Sequence, residues 1–131
     1  MNTRKSKISV YEELCQEMDL FSENQPFPDW IFDYREHRLS KISSKLIKFC
    51  RKLKSAKVEF KILYPMQING KWKFADVYVP KHKTVVMVTT RPHSVGWLTQ
   101  RARFFADRCK VHELDGYENE DTLNKLIIGL R

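Results

Sequence analysis

The stretch FADVYVPKHKTVVMVTT, residues 74–90, decides the fold. One acid, Asp76, lies in an otherwise apolar strand pattern; a short basic turn follows at residues 80–83, and then comes a run of β-forming residues. That run is nearly continuous in apolar and β-branched side chains, which is typical of a central strand covered on both faces. The stretch therefore predicts two adjacent strands, at residues 71–79 and 84–90, joined by a tight turn.

A further strand and a hairpin turn are indicated upstream of this pair. Residues 57–64 alternate between two predicted faces, with Val58, Phe60 and Ile62 on one and Glu59, Lys61 and Leu63 on the other. Asn69-Gly70, which falls between apolar runs, is the dipeptide favoured in two-residue hairpin turns. Together these signals predict a three-stranded meander.

Helical spacing of apolar residues marks the segments on either side of the meander. Residues 38–55 predict one long amphipathic helix with a basic face, and residues 96–109 predict a second basic helix. Residues 109–115 indicate a short fourth strand, and a closing helix follows with Glu120 and Asp121 at its N-terminus. Near the start of the chain, residues 10–21 predict a helix and residues 22–30 a proline-containing connector.

The predicted order of elements defines an α/β fold with a mixed sheet flanked by helices. We expect a single globular domain overall, composed of an N-terminal helical extension and connector at residues 1–37 and an α/β core at residues 38–131.

Charge is distributed unevenly along the chain. Residues 35–110 carry 19 basic and 4 acidic side chains, whereas the segments on both sides are net acidic. A basic block of this size favours a polyanionic partner such as nucleic acid, because neutralised phosphates release counterions. A well-solvated lysine-rich surface is the alternative interpretation.

The remaining composition bears on the compartment. The sequence contains no run of about 18 apolar residues, so we expect no membrane partner. The N-terminus lacks the pattern of a secretory signal, and the three cysteines lie far apart without a C-x-x-C pair. These features predict reduced thiols and a cytoplasmic protein.

Five polar or sulfur-containing residues lie at distinct places along residues 38–115. They are Ser43 in the first basic helix, Asp76 in FADVYVP, Met87 and Thr89 at alternate positions of the third strand, and His93 before the second basic helix. With the order of elements, they resemble the PD-(D/E)XK nuclease superfamily, the restriction-endonuclease-like fold, and within it the very-short-patch-repair-type branch. The resemblance implies a mixed sheet of a β-meander plus one further strand, flanked by helices.

The resemblance also implies a site, with several of its residues replaced. Asp76 matches the family's acid on the second strand, whereas Ser43 stands where a glutamate is expected, and Met87 and Thr89 stand where the third strand carries its acid-x-lysine. Such nucleases hold Mg²⁺ with two or more carboxylates. One carboxylate is a poor Mg²⁺ site and a thioether does not bind a hard cation usefully. We therefore expect a nuclease-like fold without catalysis and without a cofactor.

Two other readings stay open. The chain is an active Mg²⁺-dependent endonuclease if acids have migrated, with Glu59 or Glu36 joining Asp76 at the metal. Alternatively, it is a structural or protein-interaction domain in which Asp76 caps a turn or pairs with a nearby lysine, since an acid between lysines is commonly a surface ion pair.

For nucleic-acid binding, DNA is favoured over RNA, and a protein partner in a larger complex is compatible with the same fold. Trp72 lies between Lys71 and Lys73, where an exposed indole can stack on bases; the alternative is that it fills the core. The residues predicted to contact nucleic acid are Lys41, Lys45, Lys48, Lys52, Arg101, Arg103, Trp72 and His93.

Overall fold

The sheet is four-stranded and mixed. The computed structural model describes residues 28–88, 100–114 and 118–131. The strands lie in the order β1-β2-β3-β4, antiparallel across the first three, with β4 parallel to β3. This confirms an α/β fold with helices around a mixed sheet. The elements are α1 (Asp29–Leu39), α2 (Ser44–Ser55), β1 (Lys61–Ile68), β2 (Lys71–Val79), β3 (Thr84–Val88), α3 (Gln100–Arg103), β4 (Lys110–Leu114) and α4 (Glu120–Leu130).

The predicted hairpin forms at Asn69-Gly70. Both residues have positive φ, 52° and 78°, as a two-residue type I′ turn requires. The pairing of Ile68 with Lys71 closes the hairpin directly at this turn. β2 has the predicted bounds, whereas β1 begins at residue 61 and continues to residue 68, so the prediction of a strand at residues 57–64 was displaced by four residues.

The predicted helix over residues 38–55 is divided into α1 and α2. The break lies at residues 40–43, where Ser43 takes an extended backbone (φ −75°, ψ 151°) and its Oγ accepts the N–H of Leu46 at 3.2 Å. A serine that caps a helix in this way satisfies an N–H group that has no partner within the helix. α1 was not predicted, and the proposed division after residue 37 falls within it.

Apolar side chains cover both faces of the sheet. On one face, residues such as Val77 and Val86 pack with the apolar stripes of α2 and α4. On the other, Val85 and Met87 pack with Ala102 and Phe105 from the segment that begins with α3. All five residues of β3 are buried between β2 and β4, which confirms that it is a central strand. In the segment from 100 to 109, only residues 100–103 are α-helical, and turns follow at 104–108.

The alternation of side chains is interrupted where β1 faces Asp76. Ile62 and Leu63 are consecutive, yet both lie in the core cluster on the face of the sheet that packs against α2 and α4, the α2 face. Leu63 has φ 47°, a left-handed conformation that bulky residues rarely adopt. The prediction that Leu63 faces away from Ile62 was therefore wrong, because the local backbone does not keep the two-residue period of a regular strand.

The buried guanidinium of Arg35 spans this interruption. Its Nε donates to the carbonyl of Leu63 at 3.1 Å and its Nη2 donates to the carbonyl of Ile62 at 2.8 Å. Burial lowers the pKa of Arg35 to about 9, so the side chain is still charged at neutral pH. α1 thus fixes the edge strand at the level of the sheet where Asp76 lies.

Candidate nucleic-acid interface and the Asp76 site

The carboxylate of Asp76 lies inside the protein with two donors on one oxygen. Asp76 is 3% exposed, and its Oδ2 accepts the backbone N–H of Val88 at 2.8 Å and Nη2 of Arg101 at 2.6 Å. The Arg101 side chain remains 47% exposed. β2, β3 and α3 therefore meet at this carboxylate.

Met87 lies beside Asp76, as the predicted pairing of the two strands requires. The backbone N–H of Asp76 donates to Sδ of Met87 at 3.4 Å, and the methionine is 1% exposed. Its neighbours on this face of the sheet include Ala75 and Phe105, so the thioether serves as packing. In the position next to the buried acid, the protein has a soft, uncharged sulfur.

Burial raises the pKa of Asp76 above its ordinary value. The charge of Arg101, the N–H of Val88 and the charge of Arg38 act in the opposite direction. The charged side chains that act on this carboxyl are thus two arginines. Such an arginine stabilises the ionised carboxylate by a charge-assisted hydrogen bond.

Other predicted members of the site lie elsewhere or are not described. The Ser43 hydroxyl caps α2, and Thr89, His93 and the side chain of Glu36 lie outside the described part of the structure. Glu59 is exposed and precedes β1 by two residues.

The donors around Asp76 do not fit Mg²⁺. In residues 28–88, 100–114 and 118–131, no three His, Cys, Asp or Glu side chains form a group that could hold a metal ion. Mg²⁺ requires hard oxygen ligands in octahedral geometry, and Asp76 offers one carboxylate already bonded to Arg101.

Three of the four predicted lysines lie beside the carboxyl ends of β3 and β4. Lys45, Lys48 and Lys52 project from α2 and line a cavity of about 90 Å³ with Val88 and Leu114, the last residues of β3 and β4. Val88 thus connects the Asp76 carboxylate with this cavity, since its N–H donates to Asp76 and it lines the cavity beside the lysines. In open α/β sheets, ligands commonly bind outside the carboxyl ends of the strands.

Acidic residues from the start of α4 share this cavity. Glu118 and Glu120 line it, and Nζ of Lys52 binds Oε2 of Glu120 at 2.7 Å. The hydrogen bond and charge of Lys52 lower the pKa of Glu120, and the charge of Lys48 adds to this effect. The basic surface predicted from α2 is therefore partly neutralised within the molecule.

The remaining predicted contacts differ in accessibility. Lys41 and Arg103 are exposed, as a contact to phosphate requires. Trp72 is half-buried and packs against the core of the α2 face, which supports the interpretation of its indole as packing. Arg51, a further basic residue of α2, lies with Lys48 in an open groove of about 490 Å³ between α2 and α4.

Comparisons of the chain with protein-family models, with curated proteins and with solved structures found no match.

In the described residues, none of the helices has the length and apolar character needed to span a membrane.

Proposed function

We propose that this protein binds nucleic acid through a PD-(D/E)XK nuclease-like fold and does not cleave it. The main support is the set of contacts that the buried Asp76 makes. Its Oδ2 accepts hydrogen bonds from the N–H of Val88 and from Arg101, and Met87 is the adjacent side chain. The order and directions of the four strands are compatible with this fold.

Hydrolysis of a phosphodiester in that fold needs a metal ion and an activated water molecule. Asp76 supplies one carboxylate, one oxygen of which is already bonded to Arg101, and the neighbouring thioether would add no useful ligand for a hard cation. The same arrangement is favourable for a scaffold, because it satisfies a buried carboxylate and fixes α3 against the sheet.

Binding is assigned to basic side chains around the carboxyl ends of β3 and β4. Lys48 is exposed there, and the half-buried Lys45 lies beside it. Two further exposed residues are added to this surface: Arg51, in the groove between α2 and α4, and Lys41, three residues before α2. Contacts of lysine and arginine with phosphates depend strongly on salt and weakly on sequence. We propose DNA before RNA as the target. Cys50 is a buried thiol and Cys109 a half-buried one, outside any disulfide, which is compatible with a cytoplasmic location.

Binding is tested by the fluorescence anisotropy of a labelled DNA duplex of arbitrary sequence, titrated at several salt concentrations. Lys41→Glu and Lys48→Glu should each weaken binding and reduce the slope of log K against log salt by about one. Lys81→Glu is the matched control, because Lys81 is exposed in the turn at the opposite end of β3. Equal effects of all three substitutions would show that net charge alone, and not this surface, is responsible.

Cleavage is tested with plasmid DNA and Mg²⁺ or Mn²⁺. We expect no nicking by either the wild-type protein or Asp76→Ala. Nicking by the wild type that disappears in Asp76→Ala would establish an active endonuclease and refute the non-catalytic part of the proposal.

A protein-interaction module is the second candidate, and one observation favours it. Trp30 and Tyr34, one turn apart on α1, are 52% and 47% exposed and make an edge-to-face contact with ring centroids 6.5 Å apart. Exposed aromatic pairs of this kind are enriched at protein interfaces. If neither DNA nor RNA binds at low salt, Trp30→Ser should reduce the recovery of a partner in a pull-down.

A further inference from the structure

A second basic cavity lies at the other end of the sheet from the Asp76 site. It measures about 290 Å³ and lies between the last two turns of α4 and the first residues of β3 and β4. Its basic lining residues are His82, Lys110, His112 and Lys125. None of the described residues that line it is acidic, in contrast to the cavity on α2.

The fold explains why these side chains converge. Lys110 and His112 are two residues apart on β4, on the same face as Leu114, which packs in the core with α4. Lys125 and Gly129 are one turn apart on α4 and therefore share a face. His82 enters from the 3-10 turn that precedes β3, and its Nε2 lies 3.1 Å from the carbonyl oxygen of Arg131.

The charges in this cavity favour an anion. Burial, and then the charge of Lys110, lower the pKa of the half-buried His112, so adding a proton there is unfavourable without a counter-charge. The C-terminal end of α4 carries partial negative charge, which opposes an anion. The carbonyl of Ile128 accepts the N–H of Arg131, and the carbonyl of Arg131, just after the helix, lies against Nε2 of His82.

Space for a ligand is provided by the helix itself. Gly129 lines the cavity, and a Cβ atom built there meets no atom within 4 Å. Glycine is unfavourable inside a helix, so its position beside a basic cavity is consistent with a need for room. Leu126 and Leu130 supply an apolar wall beside the cationic groups.

We propose that this cavity binds a phosphomonoester. A terminal phosphate has three oxygens and up to two negative charges, which matches the two ammonium groups of Lys110 on β4 and Lys125 on α4, with the imidazoles of His82 and His112 beside them. The volume exceeds that of a phosphate ion and lies near the lower limit for small-molecule sites, so the ligand has a body that contacts the leucines. The source of the phosphate is a free nucleotide or the phosphorylated end of an oligonucleotide.

Isothermal titration of the full chain with AMP, inorganic phosphate and adenosine tests this proposal. AMP should bind saturably, and Lys110→Gln with Lys125→Gln should weaken it by about tenfold or more, the effect of losing charge-assisted hydrogen bonds. Lys81→Gln, an exposed lysine outside the cavity, should have no effect. Equal binding of adenosine, no binding of AMP, or an unchanged affinity in the double variant would overturn the proposal.

A steric variant and two oligonucleotides complete the design. Gly129→Leu keeps every charge and should abolish AMP binding, while circular dichroism and thermal melting report whether α4 is intact. A folded Gly129→Leu that binds AMP normally would refute the site. The two oligonucleotides are single strands of one sequence, one with a 5′-phosphate and one with a 5′-hydroxyl. If the phosphorylated strand binds better and Gly129→Leu removes the difference, the source of the phosphate is a nucleic-acid end. If the two strands bind equally, the source is the free nucleotide. Failure of the α2 lysine variants to affect duplex binding would leave this proposal intact, since the two cavities share no lining residue.

Discussion

The guanidinium of Arg35 holds the carbonyl of Leu63, 28 residues further along the chain. Leu63 has φ 47° within a strand, and strained backbone of this kind persists only where its surroundings determine it. The same guanidinium also donates to Ile62, so α1 secures two consecutive carbonyls of the edge strand. This contact stabilises the irregular part of the sheet from which Asp76 projects.

Arg35→Lys should therefore destabilise the protein although it preserves the charge. An ammonium group cannot reproduce the fork that reaches two carbonyls, and losing buried charge-assisted hydrogen bonds costs about 2–3 kcal/mol. Urea denaturation followed by circular dichroism measures the free energy of unfolding. Arg51→Lys, at an exposed position of α2, should change it by less than about 0.5 kcal/mol. Similar values for the two variants would contradict the role given to Arg35.

Asp76→Asn should change how stability depends on pH. Because burial raises the pKa of Asp76 in the folded state above its ordinary value of 3.8, the folded protein binds this proton more tightly than the unfolded chain. The stability associated with the protonated form is present below pH 3.8 and is lost as pH rises through the folded-state pKa. Asparagine does not titrate, so Asp76→Asn should gain stability relative to the wild type between acidic and neutral pH.

Urea denaturation at a series of pH values checks this sign. Asp107→Asn, which removes an exposed carboxylate, is the matched control and should follow the wild-type curve. The opposite result would be a free energy of unfolding that rises with pH more in the wild type than in Asp76→Asn. It would show that the ion pair with Arg101 outweighs burial and lowers the folded-state pKa of Asp76.

The two glycines that the structure describes should respond oppositely to alanine. Gly70 has φ 78° in the hairpin turn, so Gly70→Ala should cost about 1–2 kcal/mol although the space is open. Gly129 is helical with open space at Cβ, so Gly129→Ala should stabilise by about 0.5–1 kcal/mol. Thermal and urea denaturation of both variants test the pair. Destabilisation by Gly129→Ala would show that the position needs glycine for another reason.

Local signals predicted the features that depend on neighbouring residues. The two-residue turn at Asn69-Gly70, the bounds of β2 and the central position of β3 follow from turn chemistry and apolar patterning. The position of Met87 next to Asp76 follows from the short turn between their strands, which sets the register.

Features that depend on distant residues were missed. The partner of Asp76 is Arg101, 25 residues away, and the crossover between β3 and β4 decides that pairing. The face of Leu63 depends on Arg35 in a helix that the sequence did not reveal. The break before α2 had a local signal, since Ser43 is a preferred capping residue, but the continuous apolar stripe across residues 39–53 obscured it.

Glu120→Gln should strengthen nucleic-acid binding if the proposed function is correct. Oε2 of Glu120 lies 2.7 Å from Nζ of Lys52, and the charge of Lys48 also acts on this carboxylate. The carboxylate therefore competes with phosphate for the same lysines. Exposed ion pairs are weak, and we expect duplex affinity at low salt to rise by about two- to fivefold. The gain should disappear in high salt, where screening reduces both interactions.

A matched control separates this local competition from net charge. Glu59→Gln removes the same charge from an exposed residue that does not line the α2 cavity, so it should raise affinity less than Glu120→Gln. Combining Glu120→Gln with Lys52→Gln should remove the gain, because the released lysine is then missing. If Glu120→Gln leaves binding unchanged while Lys48→Glu weakens it, the nucleic-acid backbone contacts Lys41, Lys48 and Arg51 but not Lys52.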